Sequence, residues 1–211
     1  MEYRCEAASV EGFVQQLAAS YLPNGYWFYV AGQVPARKDP RAVDEKLIAR
    51  YGVGISKWER ARQKRAGRAS VQYLRYGRFF LLLATHGQHP FFELESGAIR
   101  DARRVPIRFH GYSISYRGGH AHVRIEQGEY NRLKAYFLDV AVHRWVEGLV
   151  GEFGRIPFEP YAPIRRQLLA IWRDVNDARK TARLSPVPKT AVRLHRRVVR
   201  TYPDREVAKA V

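Results

Sequence analysis

The sequence predicts an α+β fold in which a central sheet, rich in antiparallel strands, has helices packed on one side and is followed by a basic helical extension at the C-terminus. Three patterns predict this fold: an alternating hairpin pattern at residues 105–126, a continuous apolar run at 79–84, and long helical patterns behind the hairpin. A chain of 211 residues with 46% hydrophobic residues can bury a substantial core. We therefore expect residues 1–183 to form a single domain and residues 184–211 to form the extension.

The first predicted elements are a helix, a strand and a second helix. Residues 9–21 carry apolar side chains at helical spacing, and a Pro-Asn-Gly segment ends that helix. Residues 25–35 are dense in aromatic and β-branched residues, which favours a buried strand. Asp39 is a good N-cap in front of Pro40, so we expect the second helix to begin there and to end near Gly52.

A strongly basic stretch follows at residues 57–68. Its one acidic residue is Glu59, and the aromatic Trp58 lies among the cations. Clustered cations beside an indole suit a phosphate backbone with a base stacked on the ring, whereas a merely solvated helix face usually mixes both signs of charge. The candidate nucleic-acid-binding residues of this stretch are Lys57, Trp58, Arg60, Arg62, Lys64, Arg65 and Arg68.

Two further strands are predicted before the hairpin. Residues 71–76 alternate, and Gly77 separates them from the apolar run at 79–84. A continuous apolar run of that length is typical of a central strand that is covered on both faces.

The hairpin pattern contains a Gly118-Gly119 pair between two alternating runs. Glycine supplies the positive φ that a tight turn needs, so these two residues are the predicted turn. The register then places apolar side chains on one face of the hairpin and leaves His120 and His122 side by side on a polar, basic face. The nucleic-acid-binding candidates of this face are Arg117 and Arg124.

The longest helical pattern covers residues 129–153, with a broad apolar surface. Asp139, His143 and Glu147 follow one another at i, i+4 steps on its polar side, which is typical of a salt-bridge stripe. Pro163 opens a second helix, with apolar residues facing inward and four arginines, Arg165, Arg166, Arg173 and Arg179, facing outward.

Residues 185–188 form a proline-rich linker, and residues 191–200 are predicted to be helical. A helix there would present a second candidate phosphate-binding face, made of Arg193, Arg196, Arg197 and Arg200. Together with Arg165 on the preceding helix, these arginines complete the predicted nucleic-acid-binding set.

The charge of the chain indicates the class of its partner. Lys and Arg number 37 against 20 Asp and Glu, a formal net charge of +17. An excess of this size favours polyanions, because phosphate contacts release condensed counterions. The sequence therefore predicts a nucleic acid, single-stranded DNA or RNA, as the partner.

Other classes of protein are disfavoured. A single cysteine, Cys5, excludes an internal disulfide framework and a multi-cysteine zinc site. The N-terminal residues do not have the pattern of a secretory signal, and the longest apolar run is too short to span a bilayer. We expect a cytoplasmic protein without a membrane partner.

The sequence His-Ala-His-Val-Arg-Ile at residues 120–125 resembles the His-hydrophobic-His motif of the HUH endonucleases, the family of rolling-circle replication initiators, relaxases and single-tyrosine transposases. The resemblance covers about six residues and the order of a strand followed by a helix. It implies that His120 and His122 bind a divalent metal, Mg²⁺ or Mn²⁺, that polarises a scissile phosphate. It also implies that a tyrosine on a helix attacks this phosphate.

Geometry narrows the choice of tyrosine and of a third metal ligand. Tyr130 starts the helix at the far end of the His strand, on the order of 20 Å from His120. An antiparallel helix recovers that distance only after about 14 residues, which makes His143 the candidate third ligand. We therefore interpret Tyr161, ahead of the second long helix, as the candidate nucleophile, although the chain has no Tyr-x-x-Lys pattern of the replication initiators.

Three functions remain open at this point. The first is a metal-dependent single-strand endonuclease or transposase-type enzyme with His120, His122 and Tyr161 as catalytic residues. The second is a non-catalytic DNA- or RNA-binding component of a mobile-element or ribonucleoprotein complex. The third is metal-independent cleavage of RNA by histidine acid-base catalysis. All three share nucleic-acid binding.

Overall fold

A computed structural model of the chain describes residues 3–203, and within them it has seven α-helices and two antiparallel sheets. The predicted α+β class is confirmed. By their contacts the residues divide into two compact units. The first unit comprises residues 3–107, 114–122 and 199–203, and the second comprises 108–113 and 123–198.

The larger sheet has four strands, β1 (Phe28–Gln33), β2 (Val71–Tyr76), β3 (Phe79–Ala84) and β4 (Arg100–Asp101), in the order β2-β3-β1-β4. Both neighbours of β3 are antiparallel to it, and the leucines at 81–83 are buried. The prediction of a central strand at 79–84 is confirmed, because a strand paired on both edges and covered on both faces needs a continuous apolar run.

The smaller sheet has the order β5-β6-β7, with β5 at Ile107–Phe109, β6 at Tyr112–Arg117 and β7 at His120–Ile125. Gly118 and Gly119 have φ of 56° and 83°, the two left-handed residues of a type I′ turn. The predicted two-residue turn is therefore confirmed. The apolar face is largely buried, and His120 and Arg124 on the other face are exposed.

Four helices belong to the N-terminal half. They are α1 (Val10–Gln16), α2 (Pro40–Arg50), α3 (Lys57–Arg65) and α4 (Pro90–Leu94). A π-helical turn at Leu17–Tyr21 and a short 3-10 turn extend α1. The side chain of Asp39 accepts hydrogen bonds from the backbone N–H groups of Arg41 and Ala42, so the predicted N-cap of the second helix is confirmed.

A buried polar cluster joins α2 to the larger sheet. Arg75 on β2 forms an ion pair with Asp44 at 2.8 Å and with Glu6 at 3.0 Å, and Tyr73 donates a hydrogen bond to Asp44 at 2.6 Å. Burial and the neighbouring Asp44 raise the pKa of the Cys5 thiol to about 12. The charges are paired and hydrogen-bonded, which is the condition under which an arginine can be buried.

The C-terminal half has three α-helices, α5 (Gln127–Val140), α6 (Val146–Gly154) and α7 (Ala162–Thr181). The prediction of one continuous helical pattern at 129–153 is wrong, because the chain leaves the helix at 141–145. The guanidinium of Arg179 donates to the carbonyls of Ala141 and Arg144, at 2.7 and 3.0 Å, and so satisfies acceptors that the break leaves open.

This break corrects two further expectations. Arg179 is buried, with 3% of its surface exposed, although its helical position predicts an outward arginine. The stripe of Asp139, His143 and Glu147 does not lie on one helix, because His143 is in the turn between α5 and α6.

The prediction of a helix at 191–200 is also wrong. Residues 184–203 are irregular apart from a 3-10 turn at Lys189–Ala191, and side chains of other segments bond the backbone of Val187, Arg197 and Val199. Asn176 is bonded to both the N–H and the carbonyl of Val187, so the predicted linker is packed against α7. The last residues of the predicted extension, 204–211, lie outside the described part of the chain.

The described residues at the C-terminal end pair with α1, in the first unit. Gln15 is bonded to both the carbonyl and the N–H of Val199, at 2.6 and 3.3 Å, and the N–H of Ala8 donates to the carbonyl of Thr201 at 2.8 Å. A Cβ on Gly12 would come within 3.1 Å of the backbone of residues 200 and 201, so the glycine permits the close approach.

Candidate nucleic-acid interface

The helix α3 carries the densest group of exposed cations, and we call it, together with Arg68, the α3 surface. The side chain of Ser56 caps the start of the helix by accepting from the N–H of Glu59, and Gly67, with φ of 71°, follows its end. No residue of α3 is buried. The surface consists of the residues predicted from the sequence: Lys57, Trp58, Arg60, Arg62, Lys64, Arg65 and Arg68.

Among the residues that the structure describes, the cations of the α3 surface have no acidic partners. Within residues 3–203, none of the six forms an ion pair, although the side chain of Arg60 donates to the carbonyl of Ile55 at 2.6 Å. Glu59 is the one acid on the helix. Like charges that remain unpaired keep a positive potential that attracts a polyanion.

Trp58 is the second unusual feature of the α3 surface. Its side chain is 85% exposed, whereas tryptophan is buried to a large extent in most proteins. An exposed indole flanked by cations offers a face on which a nucleic-acid base can stack while phosphates contact the neighbouring side chains.

The hairpin residues lie on the middle strand β6 and the edge strand β7 of the smaller sheet. His120 and Arg117 are exposed on either side of the glycine turn, His122 is half-buried, and Arg124 is exposed further along β7. Alternation along the strand directs His120 and His122 to the same side, as predicted.

The metal assignment to these histidines stays a prediction. Among the described residues, 3–203, no three His, Cys, Asp or Glu side chains are grouped as a metal site. His143, the candidate third ligand, is exposed in the turn between α5 and α6.

Tyr161 is the N-cap residue of α7, which agrees with its predicted position at a helix entrance. The guanidinium of Arg196 lies 4.8 Å from the centre of its ring. Burial raises the pKa of Tyr161, and the hydrogen bond and charge of Arg196 oppose this effect without cancelling it. A raised pKa makes the nucleophilic phenolate scarcer at neutral pH, so Tyr161 would need activation by a metal or a base to attack a phosphate. Its role as the nucleophile stays a prediction.

The arginines of the C-terminal segment are partly engaged in the structure. Arg193 forms an ion pair with the buried Glu159 at 3.0 Å, and the backbone N–H of Arg197 donates to the same carboxylate. Arg165 on α7 donates to the carbonyl of Leu194. The side chains of Arg196, Arg197 and Arg200 are exposed, but without a helix they do not form the predicted face.

The structure contains two cavities that the sequence patterns did not predict. One lies beside the α3 surface and is lined in part by Gln63, Gln88 and Glu93. The other has a volume of about 370 Å³ and is lined by Leu169 and Trp172 together with three cations, Arg166, Arg173 and Lys189. The first combines residues from two separate segments, 63–69 and 87–93, and the second combines one face of α7 with Lys189, so neither follows from the pattern of a single predicted element.

No helix in the described range is both long and apolar enough to cross a membrane. No known protein family matches the chain, and no curated protein matches it either.

Proposed function

We propose that the protein binds nucleic acid through the α3 surface, whose cations contact phosphates while Trp58 stacks on a base. The observation that carries the proposal is the combination, on one nine-residue helix, of cations that pair with no acid of residues 3–203 and a tryptophan that is 85% exposed. We further infer that the protein acts in the cytoplasm, together with its nucleic acid.

A solvated, non-binding surface is the simpler alternative, and the charge pattern argues against it. Of the eight ion pairs of the described chain, none involves the α3 surface, although 20 acidic residues are available in the sequence. A surface that serves solubility alone usually mixes both signs. The cations of an unpaired basic helix repel one another, which is electrostatically unfavourable. Bound phosphates reduce this repulsion.

The test is the affinity of the full chain for labelled single-stranded DNA and RNA, measured by fluorescence anisotropy over a range of salt concentrations. In the triple variant Arg62→Ala, Lys64→Ala, Arg65→Ala, we expect the affinity to fall by roughly 10- to 100-fold and the salt dependence to weaken by about two counterions. Alanine keeps α3 helical, which circular dichroism checks.

The matched control removes three exposed cations from outside the α3 surface: Arg37→Ala, Arg41→Ala, Lys46→Ala. Both triple variants lower the net charge equally. A general electrostatic attraction between the basic protein and nucleic acid therefore predicts the same loss of affinity in each. An equal loss, or a wild-type chain that binds no strand, would contradict the proposal.

A further inference from the structure

A cleft of about 610 Å³ lies beside the α3 surface, between the end of α3 and the segment at 87–93. Its volume falls within the range of about 300–1,000 Å³ that is usual for sites that enclose a small flat ligand. Its lining comes from Gln63, Arg68 and Ala69 on one side and from residues 87–90, Phe92 and Glu93 on the other.

The floor of the cleft is held by close backbone contacts. The N–H of Ala69 donates to the carbonyl of Gln88, and the N–H of Gln88 donates to the carbonyl of Gly67, both at 3.0 Å. Gly87 has φ of 134°, and a Cβ there would meet the backbone of residues 67–69 at 2.6 Å. The two sides are therefore fixed relative to each other before a ligand arrives.

The polar groups of the cleft can both donate and accept hydrogen bonds. Gln63 and Gln88 supply amides, and Glu93 supplies an acceptor. In the described residues, the side chains of Gln88 and Glu93 make no hydrogen bond or ion pair, and that of Gln63 makes only a long contact of 3.5 Å from Ser70. These groups are thus available to a ligand with a mixed donor and acceptor edge.

The lining of the cleft also includes two uncharged rings, those of Phe92 and His89. Phe92 is half-buried and is held edge-on by Phe28 and Phe91, each with ring centres 5.4 Å away. The Nδ1 atom of His89 accepts from the N–H of Phe91 at 3.0 Å, and burial lowers the pKa of this histidine, so its ring is neutral at pH 7. A flat ligand can lie against these rings without meeting a charge.

A phosphate group does not match this lining, because Glu93 would repel it and only Arg68 would attract it. The exposed cations that suit phosphates are instead the neighbours of Gln63 in sequence, Arg62, Lys64 and Arg65. These cations lie within two residues of Gln63 on the same helix, so a strand whose phosphates contact them passes close to Gln63.

We propose that this cleft binds one unpaired nucleobase of the strand held by the α3 surface, and that its amides and carboxylate select the base by its hydrogen-bonding edge. This inference rests on the proposed function. A base in a duplex has this edge already paired, so the cleft also selects single strands over duplexes.

The test compares homopolymeric single strands and a duplex of equal length, in DNA, on the full chain. The wild type is expected to bind single strands about tenfold more tightly than the duplex, and its affinity is expected to differ severalfold among the homopolymers. In the double variant Gln88→Ala, Glu93→Ala these differences should shrink severalfold, while the salt dependence, which reports phosphate contacts, stays unchanged. Both residues are exposed, so the variant is expected to fold.

The matched control is Gln33→Ala, Glu45→Ala, which removes the same two side chains at exposed positions that do not line the cleft. It should keep the preferences of the wild type. Salt-dependent binding without any preference for strand or base, or preferences that survive in the cleft variant, would overturn the cleft proposal alone. A wild type that binds no nucleic acid would overturn the proposed function as well.

Discussion

The α3 surface and the C-terminal segment at 189–200 are almost equally rich in cations, with six Lys and Arg in residues 57–68 and five in 189–200. They differ in what lies nearby. No acid pairs with the α3 surface within the described chain, whereas the buried Glu159 binds Arg193 and the backbone of Arg197. The density of positive charge therefore does not by itself identify a phosphate-binding surface, because a single buried carboxylate can engage the side chain of one arginine and the backbone of another in the fold.

The largest effect that would test this comparison is on stability. Glu159→Gln removes the negative charge that pairs with Arg193 in a buried site, so we expect the free energy of unfolding to fall by about 1–3 kcal/mol, measured by urea denaturation. Glu59→Gln makes the same change of charge on α3, where the side chain is exposed, and should change stability by less than about 0.5 kcal/mol. Equal effects of the two substitutions would mean that the two regions do not differ in this way.

An effect of similar size, on binding instead of stability, concerns the exposed indole of α3. Trp58→Ala should weaken binding to single strands by about 1–3 kcal/mol, the contribution of one stacked base, and leave the stability nearly unchanged. Trp145 is a matched control, because it is also 85% exposed but its neighbour Arg144 is paired with Glu152. If Trp145→Ala weakens binding as much as Trp58→Ala does, stacking is not specific to the α3 surface.

The smallest expected effect is on the pH dependence of the region beside α3. Burial lowers the pKa of folded His89 below the ordinary value of 6.5, so the unfolded chain binds the proton more readily. The stabilising contribution of neutral His89 is therefore complete above about pH 6.5 and is lost as the pH falls through that value toward the lower pKa of the folded state.

The variant His89→Asn retains a side chain that can cap α4 and removes the titration. The difference in unfolding free energy between wild type and variant, measured from pH 7.5 to pH 5, should shift in favour of the variant below pH 6.5. A difference that is constant over this range would show that His89 does not titrate in this way.

Local patterns were sufficient for much of the fold. The turn at Gly118-Gly119, the central strand at 79–84 and the cap at Asp39 each depend on a few consecutive residues, and each is confirmed. The exposed basic helix α3 belongs to the same class, because its character follows from its own composition.

Elements that depend on distant partners could not be predicted in this way. The break after α5 is stabilised by Arg179, more than 30 residues later, and the irregular C-terminal segment is held by Asn176, Glu159 and Gln15. For the candidate site, the exposed cations were predictable, but the cleft was not, since Gln63 and Gln88 meet only after the strands β2 and β3 have formed.

The pairing of Val199 and Thr201 with α1 has a consequence for the order in which the protein can be built. Gln15 and its partner Val199 are 184 residues apart, so α1 can make these hydrogen bonds only after a further 184 residues have been synthesised. Folding along the growing chain normally completes N-terminal units first. Here the α1 region stays incomplete until residue 201 has been synthesised, and removing residues 199–203 would leave its backbone groups and Gly12 open to water in the folded protein.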